Sequence, residues 1–374
     1  MTKVTVVGGA GYLGSSLCTH LLEMGHEVTA IDAQWFGEQS LEHLRQSPRF
    51  HSHCVDVRRI DEVMPLLHGQ DAIICISGLV GDPACKIDTA FTYSCNYLAS
   101  VTLAMMAKRL GIGRFIFASS CSVYGRSALG PDLLSETSAT NPLSYYAQDK
   151  LDTEHALYEL ADESFHPTIL RLPTLFGWSY RMRFDLVVNL FAAQACRGNK
   201  IQVIGGTQRR PFLHVRDAAA AFAQVLETDV DLVSGEVFNV GDEQHNLRIV
   251  DLVDVIREVI PEVRAEVVTS AVDPRDYQVD FQKIKSAMGY TCSVSMTDGI
   301  AEITKMLRNS AIADIKSPSF VNEARTRELI EGSNSESVSR TSPAEEELAR
   351  EPVIKSRPMR GSVKRAVNEP RYES

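Results

Sequence analysis

A glycine-punctuated turn near the N-terminus constrains this chain more than any other stretch. It reads Val4-Thr-Val-Val-Gly8-Gly-Ala-Gly11-Tyr-Leu-Gly14. β-Branched residues before it suit a buried strand, and Leu17, Cys18, Leu21 and Leu22 follow at helical spacing. The order strand, tight turn, helix has a chemical use. Glycines let the backbone approach a pyrophosphate closely, and a helix N-terminus offers unpaired N–H groups and the positive end of its dipole. The spacing is G-x-x-G-x-x-G, not the G-x-G-x-x-G of simple dehydrogenases. A glycine triplet alone also fits a purely structural turn. A second predicted strand, Glu27–Asp32, ends in an acid 18 positions after Gly14. A carboxylate there accepts hydrogen bonds from an adenosine ribose, so the two features together predict a dinucleotide site.

Alternation continues to about residue 125. Strands are expected at 50–56, 72–76 and 114–118, with helical stretches between them, notably Thr89–Leu110. This pattern predicts a Rossmann-type, doubly wound parallel α/β sheet with helices on both faces. Asp32, Asp56, Ser77-Gly78 and Ser119-Ser120 then fall at strand carboxyl ends, where such sheets gather their functional groups. Further on, helices are expected at Pro142–Leu160, Phe184–Arg197, Asp217–Leu226 and Ile249–Val259, and strands at 167–172, 201–204 and 236–240. Residues 1–180 read as mainly the dinucleotide-binding domain. Residues 181–310 read as a smaller mixed α/β substrate-binding lobe, with segments crossing between the two.

From about residue 311 large apolar residues thin out. Residues 311–374 hold 11 Lys+Arg and 11 Asp+Glu, so the net charge of −10 belongs to the preceding part. This tail is expected to be disordered, with a transient helix at Ala344–Arg350. The acidic balance disfavours nucleic acid and anionic membrane surfaces as partners. No apolar run reaches a membrane span, no signal peptide is visible, and the expected location is the cytoplasm. Eight scattered cysteines without a C-x-x-C pair read as reduced thiols, with no metal site.

Tyr146-Ala-Gln-Asp-Lys150 is the second signal. At i and i+4 the two side chains share a helix face. A neighbouring ammonium favours the phenolate, which takes a proton from a hydroxyl while a hydride leaves the same carbon. The spacing is short, and an incidental surface pair is the alternative. At the close of the fifth strand, Phe117-Ala-Ser-Ser-Cys-Ser-Val-Tyr124-Gly125 supplies a hydroxyl to hold the reacting oxygen.

This serine, tyrosine and lysine set, after a glycine turn and Asp32, resembles the extended short-chain dehydrogenases/reductases. More closely it is similar to the NAD-dependent epimerase/dehydratase family, which includes UDP-glucose 4-epimerase. The resemblance covers residues 1 to about 310 and implies NAD as cofactor, a sugar nucleotide as substrate and a homodimer built on two long helices. It implies that Gly8, Gly11, Tyr12, Leu13 and Gly14 form the pyrophosphate turn, that Asp32 holds the ribose, that Asp56 and Val57 flank the adenine, and that Asn96 lies near the cofactor. Ser120, Tyr146 and Lys150 match the catalytic set, with Ser119 the neighbouring alternative. Thr174, Arg210 and Arg275 match substrate-contacting positions, the two arginines as diphosphate clamps. Asn189 matches another, about two residues out of register. Family dehydratases carry an Asp-Glu pair where Cys121 and Ser122 stand, so epimerisation, at C4, is the expected reaction. A dehydratase or reductase of the same fold and a non-catalytic NAD-binding regulator are the alternatives.

Overall fold

The computed structural model describes residues 1–126, 133–269, 275–310 and 312–339, and side chains to residue 332. Met1–Leu329 forms one compact unit, and Ile330–Ser374 a second, described only through residue 339. The first half runs β1 (Lys3–Val7), α1 (Tyr12–Glu23), β2 (Glu27–Asp32), β3 (Phe50–Cys54), α2 (Ile60–Leu67), β4 (Ala72–Cys75), α3 (Asp82–Cys85), α4 (Thr89–Tyr93), α5 (Ala99–Arg109), β5 (Arg114–Ser120), α6 (Tyr145–Leu160) and β6 (His166–Leu172). The second runs β7 (Thr174–Phe176), α7 (Val187–Cys196), β8 (Ile201–Ile204), β9 (Arg209–His214), α8 (Val215–Glu227), α9 (Val230–Val233), β10 (Val237–Asn239), β11 (Asn246–Arg248), α10 (Asp251–Val259), β12 (Ala265–Val268), α11 (Gln282–Met288), α12 (Met296–Asn309) and α13 (Asn322–Ser339).

Seven parallel strands form the central sheet in the order β10-β6-β5-β4-β1-β2-β3. The order reverses between β1 and β4, so their carboxyl ends open a crevice. Buried on both faces, the central strands read as apolar runs: Val4, Val6 and Val7 on β1, and Ala72 to Cys75 on β4. Ala218, Ala219, Ala221 and Ala223 are buried on α8, whose small side chains let it lie close against α1. A three-stranded sheet (β11-β9-β7) and a parallel pair (β12-β8) build the mixed lobe over the carboxyl edge.

Three details differ from the sequence reading. The helix expected from Pro142 starts at Tyr145, because the Ser144 side chain accepts the Ala147 N–H and caps it there. The helix expected over Thr89–Leu110 is interrupted by a π turn at Ser94–Leu98. The expected disorder from residue 311 does not hold for 312–329, which belong to the compact unit and bury Ile315, Asn322 and Thr326. The helix expected at 344–350 lies outside the described residues. No helix among the described residues is long and apolar enough to cross a membrane.

Candidate active site

A cavity of about 720 Å³ opens along the crevice. At one end lies the glycine turn. Gly8 holds φ at +96°, a conformation side chains rarely adopt, and a Cβ on Gly14 would sit 2.0 Å from the Gly8 oxygen. The turn is thus closed to side chains and open to a ligand. Gly11 starts α1 with no side-chain cap, which leaves the first N–H groups of the helix to the cavity that Tyr12, Leu13 and Gly14 line. The Asp32 carboxylate accepts the Ala10 N–H at 3.0 Å and the Gln34 N–H at 2.7 Å. Burial raises its pKa, and those two donors pull it back. Asp56 and Val57 line the same end, with Asp56 gripped by Arg58, whose guanidinium carbon lies 4.6 Å from the Phe91 ring centre. An uncapped helix start, a turn too tight for side chains and an acid at the end of β2 fit a dinucleotide.

Two predicted residues work from behind this wall. The Tyr12 hydroxyl donates to the Gly177 oxygen at 2.6 Å, pinning α1 to the lobe. Asn96, fully buried in the π turn, accepts the Leu79 N–H at 2.7 Å and donates to the Leu79 oxygen at 3.0 Å, fixing the loop after β4.

The middle of the cavity carries the reactive groups. Tyr146 and Lys150 lie one turn apart on α6, facing Ser120 at the end of β5. Burial, then Cys85, pushes the Tyr146 phenol up, and a hydrogen bond with Ser120 acts the other way. Burial brings Lys150 down to about 8, with Cys75 and Asp149 opposing. The Ser120 hydroxyl accepts from Ser122 Oγ at 2.9 Å and from the Ser122 N–H at 3.2 Å. Its neighbour Ser119 is turned away, donating to the buried Glu154 that pairs with Arg171. Cys121 is fully buried against the Arg171 carbonyl.

At the far end, Thr174 and Arg210 line the cavity, and Arg275 meets Asp82 at 2.9 Å across it. Arg210 lies over the Tyr277 ring at 5.1 Å and donates to the Arg209 oxygen. Asn189 is a correction. It is fully buried, its Oδ1 accepts the Gly177 N–H, and its Nδ2 donates to the Tyr12 hydroxyl and the Arg183 oxygen. A carboxamide committed in this way braces the wall instead of meeting a substrate.

Sequence reasoning passed over Arg181, Arg183 and Asp185, all of which line the cavity. Arg183 pairs with Asp185 through two bonds of 3.0 and 2.9 Å and lies within electrostatic reach of Tyr146. The alternating charges of Arg181-Met-Arg-Phe-Asp185, placed between an apolar strand and helix, were the available signal.

Residues 4–241 match the NAD dependent epimerase/dehydratase family. UDP-glucuronic acid decarboxylase 1 of Arabidopsis thaliana is 28% identical over 315 residues, covering 82% of this chain and 70% of its own. A UDP-glucuronic acid 4-epimerase from Bacillus cereus, solved with UDP-glucuronic acid and NAD, is 25% identical with a TM-score of 0.73. MoeE5, solved with the same two ligands, is 25% identical with a TM-score of 0.70. Each structural match covers 82% of this chain and 99% of the other.

Proposed function

The chain belongs to the NAD-dependent epimerase/dehydratase family, and on that premise we propose that it is an epimerase of a nucleotide sugar, acting at C4. Its cofactor is NAD, which supplies, when bound, the acceptor and donor of a hydride. Tyr146 removes the proton from the sugar hydroxyl, with Ser120 bonded to the same oxygen and the Lys150 ammonium favouring the phenolate. After the sugar presents its other face, Tyr146 returns the proton. The observation that carries this reading is the Ser120, Tyr146 and Lys150 set on one cavity wall, with Cys121 and Ser122 where an acid pair would serve dehydration.

The substrate we propose is UDP-glucuronic acid. Three of the similar proteins carry that compound in their names or complexes. In this chain Arg183, whose Nε and Nη2 pair with Asp185 and leave Nη1 outside that pair, lines the cavity within electrostatic reach of Tyr146. A cation there suits a sugar carboxylate. Arg210 and Arg275 take the diphosphate, and Thr174 the sugar side.

Decarboxylation is the second reading, because a ketone at C4 makes the C6 carboxylate a β-keto acid, and the curated relatives are decarboxylases. Incubation with NAD and UDP-glucuronic acid, followed by NMR, separates the two. Epimerisation gives the C4 epimer with six carbons kept; decarboxylation gives a pentose and carbon dioxide.

We assign residues 1–180 mainly to cofactor binding and 181–310 mainly to the substrate. We also propose a homodimer through α4, the π turn, α5 and α6, where Tyr93, Leu98, Met105 and Tyr158 are exposed. A cytoplasmic location accords with this chemistry.

A further inference from the structure

Past the family-matched residues, the chain returns to the dinucleotide end of the cavity. Phe320 accepts the Phe184 N–H at 3.0 Å and packs its ring edge-on against that side chain. Asn322, at the start of α13, is buried and joins three parts of the site. Its Nδ2 donates to the Val80 oxygen at 2.9 Å, in the loop after β4. Its backbone N–H donates to Asp185 at 3.3 Å. Its Oδ1 accepts from Arg181 Nη2 at 2.7 Å. One turn on, Arg325 Nε donates to the Trp35 oxygen, just past Asp32.

Arg181 is the group this segment holds in place. It is 6% exposed, and its guanidinium carbon stands 3.5 Å from the centre of the Phe36 ring. Its Nε is buried without a partner. Among the described residues no carboxylate pairs with it, while the adjacent Arg183 is closed on Asp185. Burial, then Arg183, brings its pKa down to about 9. A buried guanidinium with unmet donors is costly unless an anion completes it. The same cavity wall holds the uncapped N-terminus of α1, a helix of twelve residues, and Asp32, whose carboxylate lies within electrostatic reach of Arg181. The helix start and the unmet guanidinium are independent features of one wall, and both call for negative charge between the ribose site and the middle of the cavity.

We propose that Arg181, oriented by Asn322, binds the diphosphate of the dinucleotide, and that residues 320–326 strap this end of the cavity so that the dinucleotide leaves slowly. Arginine suits the role because its planar fork meets two phosphate oxygens at once. This goes beyond the epimerase reading and rests on the NAD cofactor alone, so it stands or falls by binding, whatever the product of turnover.

The test uses the full-length protein, freed of dinucleotide and titrated with ADP, NAD and adenosine. Arg181→Gln is expected to weaken ADP and NAD about 10- to 100-fold and to spare adenosine, which has no phosphate. Asn322→Ala is expected to speed NAD release about tenfold or more in stopped flow. Unchanged ADP affinity in Arg181→Gln, or an equal loss for adenosine, overturns the diphosphate assignment. Unchanged NAD release in Asn322→Ala overturns the strap. Should Arg181→Gln fail to fold, the ADP-to-adenosine affinity ratio of Asn322→Ala decides: a fall supports the assignment, and an unchanged ratio overturns it.

Discussion

The Lys150 ammonium lies 4.5 Å from the centre of the Phe117 ring, buried on the face of α6 that also carries Tyr146. The ring face offers a cation some compensation, and burial still brings the lysine down to about 8 from 10.5. Charge at this position therefore destabilises the dinucleotide-free fold. In the folded chain the ammonium persists only below about 8, whereas in the unfolded chain it persists to 10.5.

A stability measurement follows from that inequality. Lys150→Met is expected to be more stable than the parent by about 3 kcal/mol below pH 8. The advantage shrinks as pH rises and vanishes near 10.5, where both states of the parent are neutral. Denaturant unfolding of the two proteins across this range, without NAD, gives the difference directly. A pH-independent difference contradicts the account.

Tyr146→Phe removes the proposed proton acceptor and leaves the glycine turn and Asp32 untouched. Turnover is expected to fall about 10²- to 10⁴-fold, with NAD affinity unchanged. Steady-state rates alongside NAD titration check both halves.

The two adjacent serines are expected to part ways. Ser120→Ala loses the hydroxyl that bonds to Tyr146 and lowers kcat with little change in melting temperature. Ser119→Ala removes a buried donor to Glu154 and costs about 1–3 kcal/mol of stability, with kcat largely retained. Thermal melts and kinetics on both variants suffice.

Arg210→Gln is expected to raise KM for the nucleotide sugar about 10- to 100-fold while NAD affinity holds. The guanidinium lines the cavity beside Tyr277, and the proposed function gives it the substrate diphosphate, not the dinucleotide. Loss of NAD binding with unchanged KM contradicts that assignment.

Light scattering tests the proposed dimer. Met105→Glu and Tyr158→Glu place charge on the exposed apolar face of α5 and α6 and are expected to shift the protein to monomer.

What was legible in the sequence was local in the chain. The glycine turn and Asp32 are tied by neighbouring strands, and the Ser120 hydroxyl, Tyr146 and Lys150 follow from one strand end and one helix face. The doubly wound sheet followed from alternation alone. What stayed hidden depends on distant contacts. Asn189 matched a pattern by type, yet its side chain meets Tyr12, a residue 177 positions away, and is spent there. Arg181 and Asn322, 141 positions apart, take their meaning only from each other. The segment around Asn322 reads as polar tail because its few anchors, Ile315, Phe320 and Thr326, are spaced too irregularly to announce a packed element.

The central claim is that one hydrogen leaves C4 and returns to the same carbon without exchanging with water. UDP-glucuronic acid labelled with deuterium at C4, incubated with the NAD-loaded protein in ordinary water, tests it most directly. The account predicts a C4 epimer that keeps its deuterium at C4 and its carboxylate. Release of carbon dioxide, or an epimer whose C4 deuterium has washed out into water, would contradict it.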